Sequence, residues 1–291
     1  MCSPSTIISE AMMSEADETA DGEDDDVVDR GTSARPVALV TGVGRRAGIA
    51  AALAERLAAD GWDLAFSWWG PYDERVYGAP DPEGVDAVVE ACAAAGARVA
   101  RLPVDLAEAD QAAGLVPAAA AALDAPVAAL VLSHAESVDS SIATTTVEAF
   151  DRHVAVNARA TFLMIQAYAE ALRGPAAGVP RERRRIVALT SDHTAFNLAY
   201  GMSKGALDRI VLAAAKELAD LGVAANLVNP GPNDTGWMTP EVVEMVLGRT
   251  PGGRLGTPAD TAALVGFLCS PEGGWVNGQL LKSDGGFSLE V

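Results

Sequence analysis

The sequence predicts a doubly wound α/β fold: one domain with about seven parallel strands and helices on both faces. Three observations carry this. From Pro36 onward, short apolar runs alternate with longer amphipathic segments. The short runs are continuously apolar rather than alternating, as strands covered on both faces should be. The first run passes through a glycine-rich turn straight into a helix pattern, the usual start of such a sheet.

The elements follow in order. The run Val37-Ala38-Leu39-Val40-Thr41 predicts the first strand (37–42), and the segment after the glycine turn predicts a helix over 48–60. Asp63-Leu64-Ala65-Phe66-Ser67-Trp68 predicts the second strand (62–68). A helix over 84–96, a strand over 98–104 and a helix over 108–123 come next. The most apolar window, 112–132, is interrupted by Pro117, Asp124 and Pro126 and reads as helix, turn and strand (127–132), not as a membrane span. A helix over 146–173 leads to the strand Ile186-Val187-Ala188-Leu189-Thr190 (184–190). A helix over 198–221, a strand over 223–229, helices over 239–248 and 258–269, and a last strand over 278–283 complete the pattern.

Of 291 residues, 49% are hydrophobic, enough for a sizeable core. The net charge of -19 is uneven: residues 1–35 hold ten acids and two bases and account for -8 of it. Being acidic and poor in large apolar groups, they read as a disordered tail, with 36–291 as the folded domain. An acidic surface argues against nucleic-acid and anionic-membrane partners. The cysteines Cys2, Cys92 and Cys269 are odd in number and far apart, so neither a disulfide framework nor metal spacing is visible. A reducing, cytoplasmic compartment is expected, and nothing near Met1 has the pattern of a secretory signal.

The turn Gly42-Val43-Gly44-Arg45-Arg46-Ala47-Gly48-Ile49-Ala50 places glycines where a backbone can approach a pyrophosphate, at a helix N-terminus whose free N–H groups attract anions. Its spacing is one residue longer than Gly-x-Gly-x-x-Gly. At the end of the second strand, Trp68 stands where an acid would bind the ribose hydroxyl of NAD. Arg45 and Arg46 are within reach of a 2′-phosphate unless they are simply solvated. This favours NADP(H) over NAD(H), with Asp73 the residue that would support NAD. Tyr200 and Lys204, four apart, share one helix face. An ammonium beside a phenol favours the phenolate and lowers a pKa that is otherwise about 10.

With the Thr41-Gly42 turn, Asp105, Asn157, Ser191, Tyr200/Lys204, Pro230-Gly231 and Ser283-Asp284-Gly285-Gly286 in this order, residues 36–288 resemble the short-chain dehydrogenase/reductase family in its single-domain form. Gly253-Arg254-Leu255-Gly256-Thr257-Pro258 and Gly278-Gln279 look like its 3-oxoacyl-carrier-protein-reductase-type members. The resemblance implies an NAD(P)-dependent Rossmann-fold enzyme exchanging hydride with a small carbonyl or alcohol substrate. By it, Tyr200 is the general acid/base and Lys204 lowers its pKa and holds the nicotinamide ribose. Ser191 orients the substrate oxygen, and Asn157 holds a water that relays protons. Thr41, Gly42, Gly44, Arg45, Arg46, Gly48, Ile49, Asp105, Leu106, Ser133, Pro230, Gly231 and Thr235 line the cofactor, with Tyr200 and Lys204. A homodimer or homotetramer is implied through the helices at 146–173 and 198–221, and a lid over substrate at 232–252.

Three departures stand out. The glycine turn is two residues longer than the family's Thr-Gly-x-x-x-Gly-x-Gly. That length matches the enoyl-reductase branch, which however spaces its tyrosine seven residues before the lysine; the gap of four here keeps ketoreductase chemistry ahead. Ser133-His134-Ala135-Glu136 replaces Asn-Asn-Ala-Gly, so His134 is either a second titrating group or a structural substitute. Ser191 precedes Tyr200 by nine residues rather than about a dozen, which leaves Thr190 and Thr194 as alternative hydroxyls. Enoyl reduction and a non-catalytic dinucleotide-binding regulator are the alternative functions.

Overall fold

A computed structural model describes residues 35–79, 81, 84–174 and 178–289. The acidic segment 1–34, expected to be a disordered tail, lies outside the described residues. Seven parallel strands run in the order β3-β2-β1-β4-β5-β6-β7: β1 Val37–Thr41, β2 Asp63–Trp68, β3 Val99–Pro103, β4 Val127–Leu132, β5 Arg185–Leu189, β6 Ala224–Asn229 and β7 Leu280–Lys282. Strands β1, β2, β4, β5 and β6 are buried almost throughout, which is why their sequences carry no polar alternation.

Helices α1 (Ile49–Ala59), α3 (Gly84–Ala94) and α9 (Pro258–Cys269) pack together on one face. On the other lie α4 (Ala109–Leu123), α5 (Val147–His153), α6 (Ala160–Arg173) and α7 (Leu198–Glu217). Pro117 is accommodated inside α4, and Asp124, in the left-handed region at φ 48°, ends the helix before β4. α8 (Pro240–Arg249) follows β6. Among the described residues no helix is long and apolar enough to cross a membrane.

The structure departs from the sequence reading in three places. A helix, α2 (Gly70–Tyr77), stands between β2 and α3 where none was expected. It begins Gly70-Pro71, and Asp73 is its only buried residue, so it carries no apolar stripe to announce it. The helix expected over 146–173 is broken by a π-helical turn, Val154–Arg159, a feature frequent at functional sites. α7 stops at Glu217 rather than 221, its end followed by a turn through Gly222 at φ 72°.

The strand register builds the cleft. Thr41 at the end of β1 pairs with Ser67 on one side and Leu132 on the other. Leu132 pairs in turn with Ala188, and Leu189 with Val228. The residues just beyond these ends, Gly42, Trp68, Ser133, Thr190 and Pro230, therefore emerge side by side. β1 sits between β2 and β4, where the chain order reverses, and ligands of open α/β sheets bind at such a switch point.

Candidate active site

A cavity of about 250 Å³ opens at this switch point, lined by the glycine turn, α2, the segments after β3 and β4, Tyr200 and Lys204, and Pro230 and Thr235. Of the residues expected at a cofactor, Gly42, Gly44, Arg45, Gly48, Ile49, Asp105, Leu106, Ser133, Tyr200, Lys204, Pro230 and Thr235 line it. Gly42 has φ 84°, and a Cβ there would stand 3.0 Å from the His134 Cα, so both backbone conformation and space require glycine. Arg45 stacks over the Tyr77 ring at 3.7 Å and donates to the Thr235 carbonyl at 3.0 Å, crossing from the turn to the far wall.

Four expected residues stand elsewhere. Arg46 is exposed, its backbone N–H bonded to Asp81 at 3.0 Å, and does not line the cavity, because the lengthened turn points consecutive side chains apart. Gly231 packs against Asp284, whose Cβ would lie 2.4 Å from an added Cβ, and so joins the C-terminal segment to the wall instead of facing the cleft. Thr41 is a strut beneath it: its hydroxyl accepts from the Ser133 and His134 backbone N–H groups at 3.0 and 3.3 Å and lies 2.7 Å from His134 Nδ1. The Asn157 side chain accepts from Glu136 N at 2.7 Å and donates to Glu136 O at 2.9 Å and to Ser203 Oγ at 2.8 Å. It clamps the π-turn to the strand end and to α7.

His134 is buried between Thr41 and the Val156 carbonyl, 3.1 Å from Nε2. Burial, reinforced by the nearby Lys204 charge and opposed by the Val156 hydrogen bond, lowers its pKa to about 3. It is a neutral structural group, not a titrating one at working pH. Its depressed value has a sign: as pH falls from about 6.5 towards about 3, the unfolded chain takes up a proton that folded His134 refuses, and stability is lost. Thermal melts from pH 7 to 4 should show a steeper decline for the wild type than for His134→Asn. Parallel curves would show that this imidazole is not held neutral.

Tyr200 lies in the first turn of α7, with Lys204 one turn on. Lys204 is buried, and Nζ donates to the Leu189 carbonyl at 2.9 Å and to the His134 carbonyl at 3.3 Å. Burial lowers its pKa to about 8, opposed by the Asp208 charge. The phenol differs from the sequence expectation. Burial pushes Tyr200 up to about 12; the hydrogen bond from Ser191 pulls it back, and Asp192 raises it. The ammonium, 5.8 Å from the ring centroid and committed to two carbonyls, does not bring it down in this arrangement. Ser191 is thus tied to the phenol although it does not line the cavity, while the buried Thr190 lines it and Thr194 is exposed.

Several cavity residues had no sequence signal of their own. Glu136 is buried and ion-paired with Arg75 of α2 and with Arg152 of α5 (3.1 Å). Arg152 also pairs with Asp105 at 3.2 Å and stacks on Trp69 at 4.3 Å. Four distant elements meet here, so only the departure at Ser133-His134-Ala135-Glu136 could have hinted at it. Outside the cavity lining, Gly201 lies beside Tyr200: a Cβ there would stand 2.0 Å from the His193 carbonyl oxygen, so the short 191–197 segment rests on the helix only because residue 201 is glycine.

A glycine turn at a switch point, leading into a helix N-terminus and facing a Tyr/Lys pair on a second helix, defines a nicotinamide-dinucleotide oxidoreductase. A family model described as Enoyl-(Acyl carrier protein) reductase matches residues 42–288. An uncharacterized oxidoreductase of Bacillus subtilis is 30% identical over 259 residues, covering 88% of this chain and 98% of that protein. A chloroplastic NADPH-dependent aldehyde reductase-like protein of Arabidopsis thaliana is 35% identical over 269 residues, covering 86% and 93%. The crystal structure of a short chain dehydrogenase from Burkholderia cenocepacia in complex with NADP shares 30% identity and a TM-score of 0.75, over 87% of this chain and 98% of that one. The chain belongs to the short-chain dehydrogenase/reductase family, and it is an NAD(P)-dependent oxidoreductase.

Proposed function

We propose that the protein reduces a small carbonyl compound with NADPH, Tyr200 giving the proton. The observation that carries this is Tyr200 itself: it lines the cavity and is held protonated by burial. A protonated phenol is the form that reduction needs at the substrate oxygen. A bound nicotinamide supplies the hydride. Gly42, Gly44, Gly48 and the α1 N-terminus would hold the pyrophosphate, with Asp105 and Leu106 at the adenosine end. The residues fit such a group, since the turn's glycines line the cavity where α1 begins.

Ser191 aligns the phenol and the substrate oxygen. Lys204, anchored by two strand-end carbonyls, keeps a cation beneath the site. Asn157 acts through position, locking the π-turn against Glu136 and Ser203. The four-residue Tyr/Lys spacing supports carbonyl over enoyl reduction.

Arg45 is the proposed 2′-phosphate partner, since it alone of the two turn arginines lines the cavity. The NADPH-dependent relative and the NADP-bound structure support this choice. Asp73 opposes it as an acid against the same turn, and burial raises its pKa, countered by Arg45. Titration with NADPH and NADH, then hydride transfer from 4-deuterated NADPH to a carbonyl panel, tests the reading. Arg45→Ala should weaken NADPH about tenfold or more, a charged hydrogen bond's worth, and leave NADH within about twofold. Equal losses for both would remove Arg45 from cofactor selection. Assembly as a homodimer or homotetramer through α5, α6 and α7 is part of this reading, supported by exposed Val147, Phe150 and Phe162 on those elements.

A further inference from the structure

Helix α2 sends side chains into the cleft from one end to the other. Asp73 presses on the glycine turn: a Cβ on Gly44 would meet its Oδ2 at 2.4 Å. A carboxyl group so close to the turn takes up space on the cavity side of Gly44. Tyr77 lies under Arg45 and holds that guanidinium across the cavity. Tyr72 lines the same cavity, with the Arg75 guanidinium 5.6 Å from its ring centroid. Arg75 ties the helix down through the buried Glu136. What remains open is about 250 Å³, less than the roughly 300–1,000 Å³ of sites for drug-sized ligands, and a dinucleotide is larger than most of those.

The helix is also built to leave. Gly70 at its start and Gly78 at its end both have nothing within 4 Å of an added Cβ, and Gly78 has φ 82°. Of its eight residues only Asp73 is fully buried, Tyr72 is partly so, and Val76 and Tyr77 are exposed, so moving it uncovers limited apolar surface.

Resting on the reading that this cleft takes NAD(P)(H), we propose that α2 is an internal occupant of the cofactor cleft. Asp73 takes the space against Gly44, Tyr72 and Tyr77 line the cavity on either side of it, and the dinucleotide binds only as α2 swings out about Gly70 and Gly78. Apparent affinity is then the intrinsic affinity multiplied by the fraction of molecules with α2 out. The observed binding rate should level off at high NADPH, at the rate at which the helix opens.

Hydrogen exchange of the full chain, with and without saturating NADPH or NADH, reads this without turnover. The expected result is faster exchange over 71–78 and slower exchange over 42–50. Slower or unchanged exchange at 71–78, with 42–50 protected, overturns the internal occupant and leaves the cofactor reading standing. No protection at 42–50 by either nucleotide overturns the cofactor reading and this proposal with it. Stopped-flow tryptophan fluorescence gives a second measurement. Arg75→Gln, which cuts the tie to Glu136 from a half-exposed position, should raise the plateau rate and tighten apparent NADPH affinity, each about fivefold. A wild-type rate that rises linearly without a plateau, or a plateau that Arg75→Gln leaves unchanged, overturns it.

Discussion

Tyr200→Phe should lower the rate of carbonyl reduction by about 10²–10⁴-fold, the typical contribution of a positioned acid, while NADPH affinity changes by less than about threefold. The asymmetry follows from where the hydroxyl is. It lines the cavity and burial lifts it to about 12, so removing it deletes a proton donor and little else. The same measurements taken against pH add a check. Lys204, lowered to about 8, loses its charge above that value in the free enzyme. Wild-type kcat/KM for reduction should therefore fall above about pH 8, and the small residual rate of Tyr200→Phe should not share that fall. A Tyr200→Phe variant with near-wild-type turnover would remove the phenol from the mechanism.

Gly201→Ala should cost both stability and activity. In the middle of a helix, alanine is ordinarily better than glycine by about 1 kcal/mol. Here the gain is outweighed, because the new Cβ would stand 2.0 Å from the His193 carbonyl oxygen, which belongs to backbone and cannot rotate away. Overpacking of this kind costs about 1–3 kcal/mol, so the melting temperature should drop by a few degrees. The segment that must yield carries Ser191 at its start and meets α7 at its end. Its displacement by about 1 Å should reduce turnover about 10²-fold. Melting by fluorimetry and turnover on one preparation decide it. If both stay at wild-type values, the close approach at Gly201 does not exist.

The strands were legible because each is buried on both faces, which leaves an unbroken apolar run, and because parallel order forces a helix between successive runs. The proposed catalytic residues Ser191, Tyr200 and Lys204 were legible because they lie just after β5 and in α7, with short local spacings. What stayed hidden depends on long-range geometry. α2 lacks an apolar stripe and is held by polar groups from elsewhere, Glu136 above all. The direction of Arg46 depends on the path of a lengthened turn, which spacing alone does not give. Asn157 carries the expected residue type, but its side chain is bonded to Glu136 and Ser203, from segments 21 and 46 residues away. The Tyr200 pKa reversed direction because four-residue spacing reports neighbourhood, not where the ammonium sends its hydrogens. Gly201 had a signal: the nine-residue interval from Ser191 to Tyr200 leaves too little chain to pass over a side chain.

The contact between Gly231 and Asp284 sets an order on synthesis. The wall beside Pro230 is completed by residues near the end of the chain, and β6 has no partner on its outer side until β7 has been made. A growing chain that has finished β1 to β6 therefore carries an open parallel edge and an unfinished cleft. Both close only once β7 is in place, so a chain truncated before Leu280 should accumulate as an association-prone intermediate, not as a weakened enzyme.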